Sequence, residues 1–514
     1  MLRSVAAEHG TPTYVYDLET ISARFAEIRS AFPGASVHYA VKANALGALL
    51  RHLCQLGAGA EALTLGELER SLRAGFDPSS IVLGGPGHTP ELAHRAVQAG
   101  VGLVSLDSRG AWKVWRESAA AMRFVVRLNP AFDPHTHEHL ATAAAHSKFG
   151  MPLSEAVAVA EEVAARGQLA GFHVHAGSMI DQPTVAELIV EALEPLYHRF
   201  EDLEVVDVGG GFAVPNPPLT RFAEPVMDFA ERHGVRLLLE PGRFLVAESG
   251  VLLTRVLHVK SGGPVRHVIA DAGMADLLRP ALYDAEHPIR TLGASSESSA
   301  YAADAPSAAA PGDFRPLDVD GPLCENADRL GRDVEIPFPT PGALLAVEQA
   351  GAYGFAMASN YASNLRPAQV VVEDGHVWLA SRREKPEDLW RLETDLLPYP
   401  SPALGAREVL YAVMASLTDL GHGAAALHRF ASDGLRAKLG SPADQRRTLS
   451  NEAFAPLFGG SGLVVEDYDE RDDVARAVVL AQDARFVVSL AKRDHGRAAG
   501  CWLLTALARD LPGA

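Results

Sequence analysis

Cysteine is scarce in this chain. Its 514 residues hold three, Cys54, Cys324 and Cys501, far apart and without a C-x-x-C pair. That spacing excludes a disulfide framework and a cysteine zinc site, and it fits a reducing cytosol. Long apolar runs are missing too. None approaches the roughly 18 residues needed to span a bilayer, and Met1-Leu2-Arg3-Ser4 runs into Glu8-His9-Gly10 without the apolar core of an export signal. A cytoplasmic protein is expected. Positive charge is outnumbered, 46 Lys and Arg against 64 Asp and Glu, for a formal net charge of −18. No basic face is left for phosphate backbones, so neither nucleic acid nor an anionic membrane is an expected partner, and the expected substrate is small. No early strand pattern is followed by G-x-G-x-x-G, which counts against an open doubly wound dinucleotide fold.

The chain has instead a regular alternation of short apolar runs and helical patterns between residues 37 and 243. Strand patterns fall at 37–42, 58–63, 81–84, 102–107, 124–129, 169–175, 203–208 and 236–240, with helical periodicity in segments such as 65–74, 153–166 and 219–233. Eight consecutive βα units predict an α/β fold built on a closed (β/α)8 TIM-like barrel. After about residue 245 extended segments take over at 252–259, 265–271, 344–348 and 369–380, the last folding back at Glu373-Asp374-Gly375-His376. The expected domains are therefore a barrel over 14–245, a β-rich domain from 1–13 and 246–397, and a small α+β domain over 403–514. Residues 294–312, rich in Ala, Ser and Pro, read as a loop, and Pro398-Tyr399-Pro400-Ser401-Pro402 as a semi-rigid linker.

Polar residues gather where these strands end, on the face where barrels carry their active sites. Lys42 closes the first strand pattern, and a partly desolvated amine there can form a Schiff base with an aldehyde such as pyridoxal phosphate. An isolated lysine is ordinarily a solvated surface group. Here, however, Arg127 and Asn129 end the fifth strand, His175 and Ser178 follow the sixth, Gly209-Gly210-Gly211 the seventh, and Glu240-Pro241-Gly242-Arg243 the eighth. The three glycines let backbone N–H groups approach a phosphate closely. His135, His137 and His139 alternate along an extended stretch without H-E-x-x-H spacing, so they are read as loop histidines and no metal is expected. Cys54 lies among helical leucines and is read as packing.

Over residues 11–395 the chain resembles fold-type III pyridoxal phosphate enzymes of the alanine racemase/ornithine decarboxylase superfamily, and within it the diaminopimelate decarboxylases. The resemblance is carried by Tyr-Ala-Val-Lys-Ala-Asn at 39–44, His-Thr-His-Glu at 135–138, Ser-Lys-Phe-Gly at 147–150 and His-Val-His-Ala-Gly-Ser at 173–178. It continues through Asp-Val-Gly-Gly-Gly-Phe at 207–212, Glu-Pro-Gly-Arg at 240–243, Asp-Ala-Gly-Met at 271–274, Arg-Pro-Ala-Leu-Tyr at 279–283, Gly-Pro-Leu-Cys-Glu at 321–325 and Gly-Ala-Tyr-Gly-Phe at 351–355. It implies pyridoxal 5'-phosphate held by Lys42, with His175 stacked on its ring and Ser178, Gly209, Gly210, Gly211, Gly242, Arg243 and Tyr353 around it. Glu240 is implied to face the pyridine nitrogen, where a carboxylate favours the cationic ring that decarboxylation needs. The superfamily's racemases carry an arginine at that place. Arg243, Arg279, Tyr283 and Tyr353 are implied to hold the substrate, Cys324 to donate a proton and Glu325 to contact the substrate's distal ammonium, these last two from the neighbouring subunit of a homodimer. A guanidinium fork suits the distal carboxylate of a diamino diacid.

The implied activity is decarboxylation of meso-2,6-diaminopimelate to L-lysine. Another basic amino acid (carboxynorspermidine, ornithine or arginine) is the alternative within the class, and a non-catalytic pyridoxal phosphate carrier the alternative outside it. Three departures from the usual decarboxylase text stand out: Glu61 for the common aspartate, Gly84-Gly85-Pro86-Gly87-His88-Thr89 for a turn richer in Asn and Lys, and Asn326-Ala327-Asp328 after Cys-Glu. None is expected to touch Lys42 or Glu240. Residues from about 403 fall outside the family, with a faint likeness to cystatin-like or NTF2-like modules through a helical start, Phe454, Phe458 and strand-like 463–490.

Overall fold

A computed structural model describes residues 1–117, 122–131, 147–260, 265–292, 317–393, 399–417, 420–458, 463–482, 484–496 and 498–510. The expected 294–312 loop and the histidines at 135, 137 and 139 lie outside these residues. The chain divides into two compact units, Met1–Leu389 and Trp390–Ala514. Among the described residues no helix is long and apolar enough to cross a membrane.

The first strand, β1 (Thr13–Asp17), is followed by eight that close into a barrel: β2 (Ser36–Ala40), β3 (Gly59–Ala62), β4 (Ile81–Leu83), β5 (Leu103–Leu106), β6 (Arg123–Arg127), β7 (Leu169–His173), β8 (Val205–Asp207) and β9 (Arg236–Leu239). All neighbours pair in parallel, with β9 returning to β2 through Ser36↔Leu238 and Val37↔Leu239. The expected barrel and its eight strands are present. The expected ends run one or two residues too far, because the residues closing each pattern leave the ladder: Lys42 sits in a 3₁₀ turn, Val41–Ala43, beyond β2.

Local chemistry starts the helices between strands. Thr64 Oγ1 accepts from Glu67 N–H at 3.2 Å to cap Leu65–Ala74, Thr89 caps Pro90–Ala99 with proline in the first turn, and Ser108 caps Arg109–Trp115. Gly75 and Gly100, both at positive φ, end the first two. Inside the barrel Val82, Leu103, Val125, Ala170, Val205 and Leu238 form a buried apolar floor. Side chains alternate along a strand, so residues two or four further on also point inward, at the C-terminal mouth. That rule takes Leu103 to Ser105 and Asp107, Val125 to Arg127, Val205 to Asp207, and Leu238 to Glu240.

The same unit carries a nine-stranded sheet. Beside β1 lie β10 (Gly250–Lys260), β11 (His267–Ala270), β12 (Ile289–Thr291), β13 (Leu317–Asp320), β14 (Arg329–Val334), β15 (Leu344–Val347), β16 (Ala368–Glu373) and β17 (His376–Ser381). The main order is β14-β13-β11-β10-β1-β16-β17, with β15 on β10 and β12 on β15. The reading that began the barrel at residue 14 is corrected here: Thr13–Asp17 pairs with β10 and β16. Thr13 to Tyr16 are buried throughout, as a central strand covered on both faces requires. The turn at Asp374-Gly375, both at positive φ, closes the expected β16–β17 hairpin.

Among the described residues of the second unit, four helices, Ala406–Ser416, Leu420–Phe430, Asp433–Leu439 and Pro442–Leu449, precede an antiparallel sheet ordered β18 (Val464–Arg471), β19 (Val474–Ala481), β20 (Ala484–Lys492) and β21 (Trp502–Arg509). Ala475, Ala477, Val479, Phe486, Val488 and Leu490 alternate along two strands and join Val409, Leu427 and Phe430 in one core. The last strand, β21, lies beyond the strand-like stretch read from the sequence, which stopped at 490.

Candidate active site

Lys42 and Glu61 define the mouth of the barrel. Nζ of Lys42 donates to Glu61 Oε2 at 2.8 Å; the Glu61 side chain is 3% exposed and that of Lys42 35%, leaving the amine open on one side. Burial works to depress the amine, but the Glu61 charge, with smaller contributions from Tyr353 and Glu240, outweighs it and holds Lys42 above the ordinary lysine value. The expectation that the departure at 61 leaves Lys42 untouched is therefore wrong. A strand-end carboxylate on β3 points inward beside a residue two beyond the end of β2, and a pattern reading that stops at motif boundaries does not connect them.

Arg127, at the end of β6, donates to Asp107 Oδ2 at 2.9 Å, with both side chains buried and the guanidinium 5.0 Å from the Phe149 ring centre. On β7, buried His173 has Nδ1 2.7 Å from Ser105 Oγ and Nε2 3.7 Å from Glu240 Oε2. His175 Nδ1 accepts from Gly210 N–H at 3.1 Å. Burial, then the Arg127 charge, pushes both imidazoles well below the usual histidine range, so both are neutral at pH 7.

The triple glycine turns at Gly209 and Gly211, which have φ of 67° and 85°. A Cβ at Gly209, Gly210 or Gly211 would stand 2.3 Å from His175 Nδ1, 2.2 Å from the Glu240 carbonyl and 2.0 Å from the Gly177 carbonyl respectively, so only glycine fits. Glu240 N–H donates to Gly209 O at 2.7 Å, which fastens the eighth strand end to this turn. Glu240 is 6% exposed; burial and the neighbouring Asp207 carboxyl raise its pKa well above the ordinary value. Its Oε1 is buried without a hydrogen-bond partner.

Residues beyond the barrel reach the same mouth. Tyr353 N–H donates to Ala43 O at 2.8 Å, Asn44 Nδ2 donates to Gly351 O at 2.9 Å, and the Arg243 guanidinium lies 4.9 Å from the Tyr353 ring centre. Arg243 Nη2 donates to Ser178 Oγ at 3.2 Å. Gly242 leaves room for the Lys42 turn, since a Cβ there would meet Ala40 and Ala43 at 3.0 and 3.1 Å. Arg279, at the start of the Arg279–Tyr283 helix, is buried, with Nη1 3.1 Å from His287 Nε2. Burial, then the charge of Arg243, lowers Arg279 to about 10, and Tyr283 and Tyr353 act on both guanidiniums in the opposite sense. Among the described residues the hydrogen-bond partners of these two arginines, Ser178 and His287, carry no charge to answer theirs; burial holds His287 neutral by lowering it to about 4. The site thus presents two buried cations suited to an anion. Cys324 and Glu325 are not brought to it within one chain: both are exposed, and Glu325 accepts from the Tyr361 hydroxyl.

Residues 18–247 match the pyridoxal-binding domain of the pyridoxal-dependent decarboxylases, and the protein is a pyridoxal phosphate-dependent carboxy-lyase. It is 36% identical to diaminopimelate decarboxylase of Aquifex aeolicus over 74% of this chain and 91% of the relative, and 36% identical to that of Deinococcus radiodurans over 76% and 98%. Diaminopimelate decarboxylase of Helicobacter pylori, solved in complex with L-lysine, matches with a TM-score of 0.70 and 32% identity over 76% of this chain and 99% of that one. The chain belongs to the diaminopimelate decarboxylase family.

The side chains fit the cofactor of this class on their own chemistry. Lys42 offers an amine open on one side, Gly209 to Gly211 form a turn packed too closely to admit any Cβ, so that backbone alone lines it, and Glu240 keeps a buried carboxyl oxygen without a hydrogen-bond partner. Glu61, Asp207 and His173 were not named as site residues from the sequence. The i to i+2 relation gives the signal for two of them: Asp207 follows floor residue Val205, and His173 shares a strand face with the flagged His175.

Proposed function

We propose that the protein removes one carboxyl group from meso-2,6-diaminopimelate to give L-lysine, as a cytoplasmic homodimer. The observation that carries the substrate is the pair of buried guanidiniums, Arg243 and Arg279, unanswered by charge among the described residues. A diamino diacid keeps one amino-acid head away from the reacting carbon, and its carboxylate supplies the missing anion. Ornithine has no such group.

When bound, pyridoxal phosphate supplies the electron sink that accepts the pair left behind as carbon dioxide departs. Lys42 Nζ fixes it to the protein. The Gly209 to Gly211 backbone, Ser178 and Gly242 would hold its phosphate, and Tyr353, Arg243 and the His175 ring would hold the rest of it in place. Glu240 would pair with the ring nitrogen and favour its cationic form. Arg243, Arg279 and Tyr283 bind the distal carboxylate and so orient the scissile one. Cys324 Sγ, reaching in from a second copy together with Glu325, delivers the proton that replaces the lost carboxyl. The exposure of both residues within one chain supports that arrangement, and three free cysteines support a reducing compartment.

In this reading residues 14–245, without the β1 strand, bind the cofactor, 246–397 complete the substrate pocket, and 403–514 form an added module. The test is carbon dioxide release from purified protein supplied with pyridoxal phosphate and meso-diaminopimelate, with ornithine as the comparison. Turnover of ornithine at the same efficiency would overturn the substrate.

A further inference from the structure

Counting charge at the floor of the site leaves a surplus. Lys42 answers Glu61 at 2.8 Å and Arg127 answers Asp107 at 2.9 Å. Two further carboxyls, Asp207 and Glu240, face the same space with no cation of their own among the described residues. His173 and His175 are the other titratable groups there, and both are held neutral. Asp207 is fully buried and pinned by Gly209 N–H, which donates to Oδ1 at 2.9 Å. Its Oδ2, Glu240 Oε1 and His173 Nε2 are all buried without a hydrogen-bond partner if both acids are ionised. One ligand atom from each of His173, Asp207 and Glu240 falls within 4.8 Å of the others. A proton held between the two carboxyls would let one donate to the other. Like charges this close in a water-poor site disfavour double ionisation.

We propose that Asp207 is a positioning residue that shares a single proton with Glu240, so that the buried pair carries one negative charge rather than two. Glu61 and Asp107 each have a cation in contact, Lys42 and Arg127; the Asp207–Glu240 pair has none among the described residues, and the shared proton stands in its place. The consequence rests on the reading of Glu240 as partner to the cofactor's ring nitrogen. The site is built one cation short, and the proton a pyridinium requires is already stored behind the oxygen that meets it. Asp207, held by the Gly209 turn, also fixes which Glu240 oxygen faces the ring.

The test uses the full-length protein freed of cofactor. A raised carboxyl pKa contributes stability that is complete below the unfolded-state value near pH 4 and is lost as pH rises through the folded value. Thermal unfolding from pH 5 to 9 should therefore show about one more proton of linkage in the parent than in either Asp207→Asn or Glu240→Gln. The double variant should add nothing to the singles, since both remove the same proton. Difference infrared spectra at pH 7 should show a neutral carboxylic acid C=O band, lost in both single variants. A variant weakened by packing alone would be less stable at every pH, with its proton count unchanged. Equal linkage in parent and variants, or no neutral-acid band common to both differences, overturns the shared proton. The cofactor takes no part in these measurements, so their failure leaves the proposed activity standing, and the loss of that activity would not disturb the shared proton.

Discussion

The floor and the mouth of the barrel are made by the same strands, two residues apart, and they obey opposite rules. Val125, Val205 and Leu238 form an apolar plug below, while Arg127, Asp207 and Glu240 bury charge above. The floor gains stability from area removed from water. The mouth costs stability, since each buried ionisable group must find a partner or change its protonation. Lys42 with Glu61 and Arg127 with Asp107 take the first course, Asp207 with Glu240 the second. Stability and chemistry are thus separable along single strands, and substitutions at the two levels should divide cleanly between unfolding and turnover.

The largest effect should come at the mouth. Lys42→Ala should lower carbon dioxide release by about a thousandfold or more while moving the unfolding midpoint little, read by steady-state kinetics beside calorimetry. At the floor, Leu238→Ala should do the reverse, costing about 2–5 kcal/mol in chemical denaturation with kcat within a few-fold of the parent. An equal loss of both at either level would break the comparison. Arg279→Ala should raise KM for a substrate with a distal carboxylate on the order of a hundredfold, from loss of a charge-assisted pair of about 3 kcal/mol, and leave ornithine binding unchanged.

The smallest expected effect is at Glu61. Its charge holds the Lys42 amine above the ordinary value, so Glu61→Gln should lower that pKa and raise the fraction of neutral amine near pH 8. Pyridoxal phosphate should then be taken up several-fold faster by cofactor-free protein, followed by absorbance, with the gain shrinking as pH rises. A rate unchanged at every pH would show that Glu61 does not control the amine.

Much of this was legible in the sequence because it is carried by period. Alternation along eight runs gave the barrel. Lys42, His175, Glu240 and the glycine turn stood out because each closes a strand pattern. Other features depend on distance between segments. Nothing in Thr13–Asp17 reveals that it pairs with strands more than two hundred residues away, where β10 and β16 supply its hydrogen bonds. Glu61 looked like a tolerated variant of aspartate, and only the closure of β3 against β2 brings it to Lys42. The protonation of Asp207 is illegible for the same reason, since it depends on how many cations share its space.

The most direct test of the account is reduction of the cofactor-loaded protein with borohydride followed by peptide mapping. A pyridoxyl group on Lys42 Nζ, with one group bound per chain and none in Lys42→Ala, is the expected result. Label on another lysine, or none at all, would contradict it.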